Sequence, residues 1–306
     1  MAEKKEIKNG MAFRKPCTKL DVHMHLGKLG NPYSFDHVTR SEFNKQQGIT
    51  TCVILPMAKD PTMKFPFGFD PDMLFTSDDA YEVACEKPDE YKWMANVYLD
   101  GTDKPYEQLK KYKEMGACGC GEFAQVLRFD DPKMEQLFGW LGELDMPFLF
   151  HMSPNGLGYG VVDLPGLPLL EGALKKFPNT KFIGHSQPFW FEISEYPDNL
   201  TPEERNIYPA GKVTPGRVPY LLRTYDNLYA DLSADSAGNA IMRDADYGIA
   251  FLNEFQDRLM YGSDTGNADF HYPMGAYLDS LLHQQKLSEE AYEKICRRNA
   301  EKLLKI

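Results

Sequence analysis

The sequence predicts a (β/α)₈ barrel, the TIM-barrel architecture, from two patterns that alternate along its 306 residues. Short apolar runs rich in β-forming residues recur through the chain, and amphipathic helical patterns lie between them. The repeat is about 30 residues long, and eight such units fit the roughly 250 residues that this barrel takes. A doubly wound open sheet is the alternative, but it usually has fewer strands and a glycine-rich first turn, which the first run lacks.

Several of the predicted strands are nearly continuous in apolar residues, as expected for strands that are covered on both faces. In chain order they are KLDVHMH (19–25), TTCVILP (50–56), KWMANVYL (92–99), ACGCGEF (117–123), PFLFHMS (147–153), KFIGHS (181–186), NLYADLS (227–233) and RLMYGSD (258–264).

The helical patterns between these runs carry recognisable ends. In DPKMEQLFGWLGELD, apolar residues recur on one face, Asp131 can cap the start and Pro132 suits the first turn. In DKPYEQLKKYKEMG, Pro105 marks the start and Gly116 the end. Further helices are predicted in SDDAYEVACEK, PGRVPYLLRTY, NAIMRDADYGIAFLNEF and the closing LSEEAYEKICRRNAEKLLKI, which Ser288 can cap.

The composition, with 42% hydrophobic and 26% charged residues, is that of a soluble globular protein. A net charge of −11 without a run of Lys or Arg argues against a nucleic-acid or membrane partner. The polar first ten residues and the absence of a long apolar stretch predict neither a signal peptide nor a membrane span. We therefore expect a cytoplasmic protein with reduced cysteines, forming one domain over residues 1–306 with an N-terminal extension at 1–18.

Metal-ligating side chains concentrate where predicted strands end, which is where barrel enzymes carry their functional groups. They are His23 and His25 on the first strand, Glu122 on the fourth, His151 on the fifth, His185 on the sixth and Asp264 on the eighth. In a strand, residues i and i+2 share a face, so the two imidazoles of the first strand project together. Imidazole and carboxylate are the usual ligands of Zn²⁺ and similar ions. The sequence therefore predicts a divalent-metal site, with hydrogen-bonded structural side chains as the alternative for each residue.

The segments DVHMH, FLFHMS, FIGHS, LMYGSDTG and RRNAEKLLKI, in this order, resemble the amidohydrolase superfamily over residues 19–305. The nearest resemblance is to its amidohydrolase-2 branch, which includes aminocarboxymuconate-semialdehyde decarboxylase and related decarboxylases, hydratases and hydrolases. The resemblance implies that His23, His25, His151 and Asp264 bind metal, and that Asp264 also takes a proton from the metal-bound water. It implies a catalytic His185 in a mononuclear site, or His185 as a ligand in a binuclear one.

Glu122 is the departure from the family pattern, because binuclear members carry a carboxylated lysine, and sometimes a glutamate, at this strand end. A bridging Glu122 would allow two ions. A mononuclear site, as in decarboxylase-like members, would leave Glu122 near the metal without binding it. One ion and two both stay open at this point, as does the choice of zinc over another divalent ion.

The predicted reaction is metal-assisted hydrolysis of a C–O or C–N bond in a small, carboxylate-bearing substrate. The alternative is non-oxidative decarboxylation of an unsaturated or aromatic acid, and the candidate carboxylate anchors are Arg128, Arg217 and Lys212. A barrel that has lost catalysis and serves as a scaffold is the hypothesis from another class, but no expected ligand is missing. The resemblance also implies a homo-oligomer, most simply a dimer.

Two long loops, at 57–76 and about 187–214, follow predicted strands and carry clustered aromatic residues. These are Phe65, Phe67, Phe69, Phe189, Trp190 and Phe191. They are expected either to line an apolar substrate pocket or to pack the loops onto the barrel rim. The glycine-rich NGLGYG (155–160) is interpreted as a flexible loop beside the site.

Overall fold

The fold is known from a computed structural model that describes residues 17–28, 34–61, 74–153, 158–197, 199–267 and 272–306. Within these ranges all eight predicted strands are present, and they define a (β/α)₈ barrel. The strands are β1 (Lys19–Met24), β2 (Ile49–Ile54), β3 (Tyr91–Trp93), β4 (Cys120–Phe123), β5 (Phe148–His151), β6 (Phe182–His185), β7 (Leu228–Asp231) and β8 (Leu259–Met260). Phe65, Phe67, Phe69 and the start of NGLGYG lie outside the described residues.

Helices follow the strands in the predicted alternation. They are α1 (His37–Gln47), α2 (Ser77–Glu86), α3 (Lys104–Glu114), α4 (Pro132–Leu144), α5 (Pro168–Lys176), α6 (Gln187–Phe191), α7 (Arg217–Thr224), α8 (Ala234–Met242), α9 (Ala245–Glu254), α10 (Met274–His283), α11 (Glu289–Glu293) and α12 (Asn299–Leu304), with a π-helical turn at Lys294–Arg298 joining the last two. None of the helices among the described residues combines the length and the apolar character needed to cross a bilayer.

The helix ends follow the sequence signals in most places. Asp131 accepts a hydrogen bond from the backbone N–H of Lys133 at the start of α4, and Ser288 accepts one from Ala291 at the start of α11. The pattern NAIMRDADYGIAFLNEF, expected to be one helix, is instead divided into α8 and α9 at Arg243 and Asp244. The carboxylate of Asp244 accepts from Lys212 and from the backbone of Val213, so this break holds the preceding loop against the barrel.

All strand pairs are parallel, in the orders β1-β2-β3 and β4-β5-β6-β7-β8. Backbone contacts join the two groups at both seams. Gly121 donates to the carbonyl of Ala95 at 2.9 Å between β3 and β4. Asp264 donates to the carbonyl of His23 at 2.7 Å between the end of β8 and β1. The strands therefore follow one another around a barrel, with the end of β8 beside β1.

The barrel interior changes from apolar to polar along β5 and β6. Because side chains alternate between the two faces of a strand, Leu149 and His151 share a face of β5, as do Ile183 and His185 of β6. Leu149 and Ile183 belong to a buried apolar cluster with Leu20, Val53 and Met260. The imidazoles two residues later therefore lie on top of this apolar layer, at the C-terminal ends of the strands.

A second, larger apolar cluster lies between the sheet and its helices, and α4 shows why it forms. Its periodic residues Met134, Leu137, Phe138 and Leu141 are all fully buried. Phe138 packs edge-to-face against Phe148 and Phe182 with ring centroids 5.4 and 5.0 Å away. This cluster fixes β5 and β6, which carry two of the predicted metal ligands.

Candidate metal centre

The structure brings together all six residues whose strand-end positions predicted a metal site. Three groups have ligand atoms that all lie within 4.8 Å of one another. They are His23, His25 and Glu122; Glu122, His151 and His185; and His23, His185 and Asp264. The groups share members, so they form one continuous cluster at the C-terminal face of the barrel.

The two histidines of β1 are oriented by acceptors on their outer nitrogens. Nδ1 of His23 donates to Oδ2 of Asp231 at 2.6 Å, and Nδ1 of His25 donates to the carbonyl of Leu55 at 3.0 Å. The ionised carboxylate of Asp231 and the carbonyl of Leu55 can only accept hydrogen bonds. Both Nδ1 atoms therefore carry hydrogen. The Nε2 atoms are left facing each other at 3.3 Å.

Glu122 lies between two pairs of histidines. Its Oε2 is 3.2 Å from Nε2 of His25 and 3.6 Å from Nε2 of His23. Its Oε1 is 2.6 Å from Nδ1 of His151 and 3.4 Å from Nε2 of His185. The side chain is buried. Each of its carboxylate oxygens therefore faces one pair of imidazoles rather than solvent.

Asp264 closes the cluster from the opposite side. Its Oδ1 is 3.4 Å from Nε2 of His23 and 3.2 Å from Nε2 of His25, and its Oδ2 is 3.6 Å from Nε2 of His185. The backbone has φ of 55°, in the left-handed region that aspartate tolerates better than most residues. Its side chain is 22% exposed, against 8% for that of Glu122, so Asp264 is the more accessible carboxylate of the cluster.

Burial and neighbouring charges shift the pKa values of these groups in opposite directions, and the neighbouring charges have the larger effect. Burial disfavours the protonated form of His25, but hydrogen bonds with Asp264 and Glu122 outweigh it and raise its pKa to about 9. The pKa of His23 is likewise raised well above its ordinary value by Asp264, Asp231 and Glu122, against the effect of burial. Burial would raise the pKa of Glu122, but His151 and His23 hold it well below the ordinary value. In this arrangement protons on His23 and His25 balance the buried carboxylates.

A divalent cation fits this donor set better than protons do. With both Nδ1 atoms donating, neutral His23 and His25 point two Nε2 lone pairs at each other, which is repulsive unless a positive charge lies between them. The buried carboxylate of Glu122 and the carboxylate of Asp264 face the same space. Imidazole nitrogens and carboxylate oxygens that converge in this way are typical of transition-metal sites. His23, His25, Glu122, His151, His185 and Asp264 are therefore the residues that could hold metal.

Asp231 is a site residue that the sequence analysis missed. It is fully buried at the end of β7, and its Oδ1 accepts from Nδ1 of His185 at 3.1 Å while Oδ2 accepts from His23. Ser233 donates to the same Oδ1 at 2.8 Å. One carboxylate thus orients imidazoles from β1 and β6, a role that commonly fixes the tautomer of metal-binding histidines. The available signal was an acid in the apolar run NLYADLS at a predicted strand end.

A second buried network holds the ends of β1 and β8 together. Nη2 of Arg40 donates to Oδ2 of Asp21 at 2.5 Å, and Asp21 also accepts from the backbone N–H and the hydroxyl of Ser263. Arg40 donates further to the carbonyl of Thr265 at 3.1 Å. Since Ser263 and Thr265 flank Asp264, this network positions the backbone that carries the Asp264 carboxylate.

The cluster opens into a cavity of about 320 Å³. His25, Glu122, His151 and Asp264 form its polar side, and Leu26, Leu55, Met57, Phe75, Ala124 and Tyr159 supply most of the remaining wall. The ring of Tyr159 lies 4.9 Å from that of His151. No Lys or Arg lines this cavity among the residues that the structure describes.

The structure does not bring the predicted carboxylate anchors to this cavity. Arg128 is half exposed and forms two hydrogen bonds with Asp130. Arg217 contacts Glu171 and the carbonyl of Gly166, and it lines a separate cavity. Lys212 pairs with Asp244. The sequence places Arg128 just beyond the fourth strand and Lys212 and Arg217 at the end of the loop after the sixth, but in each case a nearby acid holds the side chain elsewhere.

The aromatic residues after β6 that the structure describes belong mainly to the packing of the rim. Phe189 and Trp190 are buried in the large apolar cluster, and Phe191 lines the separate cavity beside Arg217. A side chain at Gly184 would meet the ring of Phe189 at 2.3 Å. Glycine before His185 therefore lets α6 pack tightly against β6.

The fold and this cluster define a (β/α)₈-barrel enzyme whose histidines and carboxylates converge at the C-terminal ends of the strands. The sequence model of the amidohydrolase family matches residues 20–306, and the chain belongs to that family. It is accordingly an enzyme of the hydrolase or lyase type. The resemblance predicted from the sequence motifs is thereby confirmed. No curated protein sequence matches the chain significantly.

Solved structures of similar fold include decarboxylases and a hydrolase. 2,6-Dihydroxybenzoate decarboxylase from Rhizobium is 17% identical with a TM-score of 0.56, covering 94% of this chain and 99% of that one. A Polaromonas dihydroxybenzoic acid decarboxylase, solved with manganese and the inhibitor 2-nitroresorcinol, is 16% identical with a TM-score of 0.57, covering 94% and 97%. A probable 2-pyrone-4,6-dicarboxylic acid hydrolase from Acinetobacter baumannii, solved with citric acid, is 13% identical with a TM-score of 0.55, covering 94% and 100%. At these identities the likeness concerns the fold.

Proposed function

We propose that this protein is a metal-dependent hydrolase that cleaves a C–O or C–N bond in a small substrate with a largely apolar body. One observation carries the proposal. Glu122 presents one carboxylate oxygen to His23 and His25 and the other to His151 and His185. A buried carboxylate between two imidazole pairs suits two neighbouring cations, an arrangement that many hydrolytic metalloenzymes use.

The residues divide into two sets of ligands under this proposal. His23 and His25 would hold one divalent ion, His151 and His185 would hold the other, and Glu122 would bridge them. Asp264 faces the first pair with Oδ1, 3.2 Å from His25 Nε2. Zinc is the ion we favour, because an imidazole-rich donor set with carboxylate oxygens suits it, with manganese as the alternative. Such ions lower the pKa of a coordinated water and polarise the bond that the water attacks.

The chain's own contribution to the reaction centres on Asp264. Burial would raise the pKa of this carboxyl group, but His23 and the other imidazoles lower it, so it is ionised at neutral pH. It is exposed to the cavity and can accept the proton of the attacking water at a carboxylate oxygen. It then delivers that proton to the departing oxygen or nitrogen. The hydrogen of neutral His185 is on Nδ1, where it faces Asp231. Its Nε2 atom therefore cannot donate a proton. This favours metal ligation by His185 over acid catalysis.

The cavity limits the substrate class. Its volume of about 320 Å³ lies at the lower end of the range for small-molecule sites. Leu26, Leu55, Met57 and Phe75 offer apolar contacts, whereas His25, Glu122, His151 and Asp264 belong to the cluster whose ligand atoms converge. We infer a substrate whose polar, reacting group faces the cluster and whose remainder is apolar or aromatic. The carboxylate expected from the sequence would then contact the cations rather than an arginine.

Non-oxidative decarboxylation of an aromatic acid is the second candidate, and the same cavity favours it. Phe75 and Tyr159 both line the cavity and offer aromatic contacts to a ring, and a carboxylate held directly by a cation needs no anchoring Lys or Arg. The decarboxylases of similar fold from Rhizobium and Polaromonas add support. A bridging Glu122 with a second cation would weigh against decarboxylation, because paired cations favour the activation of water.

The experiment compares the two reactions on one preparation. Protein stripped of metal and reloaded with Zn²⁺ or Mn²⁺ is offered aryl lactones, N-acyl aromatic amines and hydroxybenzoic acids. Released protons report hydrolysis, and released CO₂ reports decarboxylation. Asp264→Asn, which removes the proton acceptor, should abolish the hydrolytic signal, whereas the exposed Asp246→Asn should leave it unchanged. CO₂ release without hydrolysis of any ester or amide would overturn the leading proposal in favour of the second.

The cytoplasmic location and the homodimer remain part of this proposal. Light scattering on the purified metal-loaded protein would test the assembly, since a dimer of the 34.9 kDa chain is distinguished readily from a monomer.

A further inference from the structure

The end of the barrel opposite the metal cluster carries a cavity of about 370 Å³. It is lined by residues that precede or begin strands and by the closing helical segment. Lys181 precedes β6, Tyr229 lies in β7 and Asp257 precedes β8. Lys181 shares a face with Ile183 and His185, so the β6 strand has a cation at the bottom, an apolar middle and an imidazole at the top.

The lining of this cavity is rich in positive charge. It contains Lys181, Lys294, Arg298, Lys302 and Lys305, against two acids, Asp145 and Asp257. The chain as a whole has a net charge of −11, so its composition does not predict such a concentration. A basic cavity in an acidic protein attracts anions selectively to one place.

Acidic partners satisfy some of these cations but not all. Lys294 pairs with Asp257 at 2.9 Å, Arg298 pairs with Glu293, and Lys305 pairs with Asp145. Lys181 and Lys302 have no carboxylate partner within 4.0 Å in the described part of the chain. Two unpaired ammonium groups at one cavity leave positive charge for a ligand to neutralise.

The backbone at this cavity is also unusual. Lys294 and Arg298 begin and end the π-helical turn, a geometry found often at functional sites. The carbonyl of Ile295 in this turn accepts from the backbone N–H of Tyr261, beyond β8, at 2.8 Å. This contact anchors the turn to the barrel, so the side chains of Lys294 and Arg298 extend from a fixed backbone.

We propose that this cavity binds a small organic phosphate. Lysine is a common point-charge partner of phosphate oxygens, and Arg298 adds a planar donor group. The half-buried Tyr229 and Leu303 provide apolar wall for the organic part. The volume suits a phosphorylated small molecule rather than a polymer. The site is separate from the metal cluster, and the proposal does not depend on the reaction that the cluster performs.

The test is calorimetric titration of the metal-loaded protein with phenyl phosphate at low ionic strength, where screening is weak. Lys181→Glu with Lys302→Glu should weaken binding by about tenfold or more, since each reversal replaces attraction with repulsion. Lys104→Glu with Lys113→Glu on α3 makes the same charge change outside the cavity and should leave binding intact. If the charge reversals impair folding, Lys181→Gln with Lys302→Gln removes the charges more gently and should also weaken binding.

Three results would overturn the proposal. The first is no saturable binding to the unaltered protein. The second is equal binding to the Lys181/Lys302 variants, which would locate the phosphate outside this cavity. The third is citrate binding as tightly as phenyl phosphate, which would leave a general anion site rather than one for organic phosphates.

Discussion

Nδ1 of His23 and Oδ2 of Asp231 lie 2.6 Å apart although 208 residues separate them in the chain. The same carboxylate accepts from His185 through its other oxygen. Burial would raise the pKa of Asp231, but His185 and His23 lower it strongly, so the group is anionic at neutral pH. One buried charge thereby determines which nitrogen of each imidazole faces the cluster.

Asp231→Asn should therefore weaken metal binding without removing any proposed ligand. The amide can accept from one histidine only, and its NH₂ group opposes the N–H of the other. Loss of such an orienting partner typically costs 10–100-fold in metal affinity, roughly the loss we expect here. Competition with a chromophoric chelator measures it, and Asp246→Asn, whose carboxylate is almost fully exposed, is the matched control. Equal affinity in the two variants would mean that Asp231 does not orient the ligands.

Metal uptake should release protons at neutral pH. His25 has its pKa raised to about 9 by Asp264 and Glu122, which outweigh burial, so it carries a proton at pH 7 when no metal is bound. A metal ion requires the neutral imidazole, so binding expels that proton and apparent affinity rises with pH up to about 9. Proton release is measured with an indicator dye in weak buffer. His25→Asn should release fewer protons per ion bound, and identical release would contradict the assignment.

The stability of the metal-free protein should fall on the alkaline side. The folded-state pKa of His25 lies above its unfolded value of about 6.5, so its contribution is complete below about pH 6.5 and is lost as the pH rises through about 9. Chemical denaturation between pH 6 and 10 measures the free energy of unfolding. His25→Asn should flatten the decline across this window. A decline of the same size in the variant would assign it to other groups.

Removing the Arg40 side chain should cost far more stability than removing a surface arginine. Arg40→Met leaves Asp21 buried without its cation, and such a loss typically destabilises by about 3–5 kcal/mol. Arg223 forms an exposed pair with Glu254, so Arg223→Met should cost about 1 kcal/mol or less. Urea denaturation compares the two. Similar costs would show that the Arg40–Asp21 pair does not hold β1 against β8.

The eight strands and the metal-ligand candidates could be predicted because both depend on local patterns. Apolar runs mark strands that are buried on both faces, and polar residues at their ends collect at one face of a barrel. His151 and His185 are therefore candidate ligands on position alone, and their proximity in the structure agrees with that position. Their mutual arrangement around Glu122 depends on barrel closure and could not be obtained from spacing.

The parts that could not be predicted depend on side-chain direction or on distant partners. Asp231 looks in sequence like any acid near a strand end, and its role appears only when β1, β6 and β7 are adjacent. Arg128 is a candidate anchor because it lies just beyond the fourth strand, and Arg217 because it lies at the end of the long loop after the sixth. Their side chains are instead held by Asp130 and Glu171, and no local sequence pattern indicates in which direction a loop arginine points.

The metal content of the protein, measured by elemental mass spectrometry after purification without chelator or added metal, tests the bridged metal centre most directly. We expect about two divalent ions per chain, one at each imidazole pair, as in paired-metal hydrolytic sites. Glu122→Gln should reduce this content, because the bridging charge is lost while all four histidines remain. The exposed Glu254→Gln should retain the full content. One ion per chain, unchanged in Glu122→Gln, would contradict the bridged site, and no metal even after titration would contradict the metal centre itself.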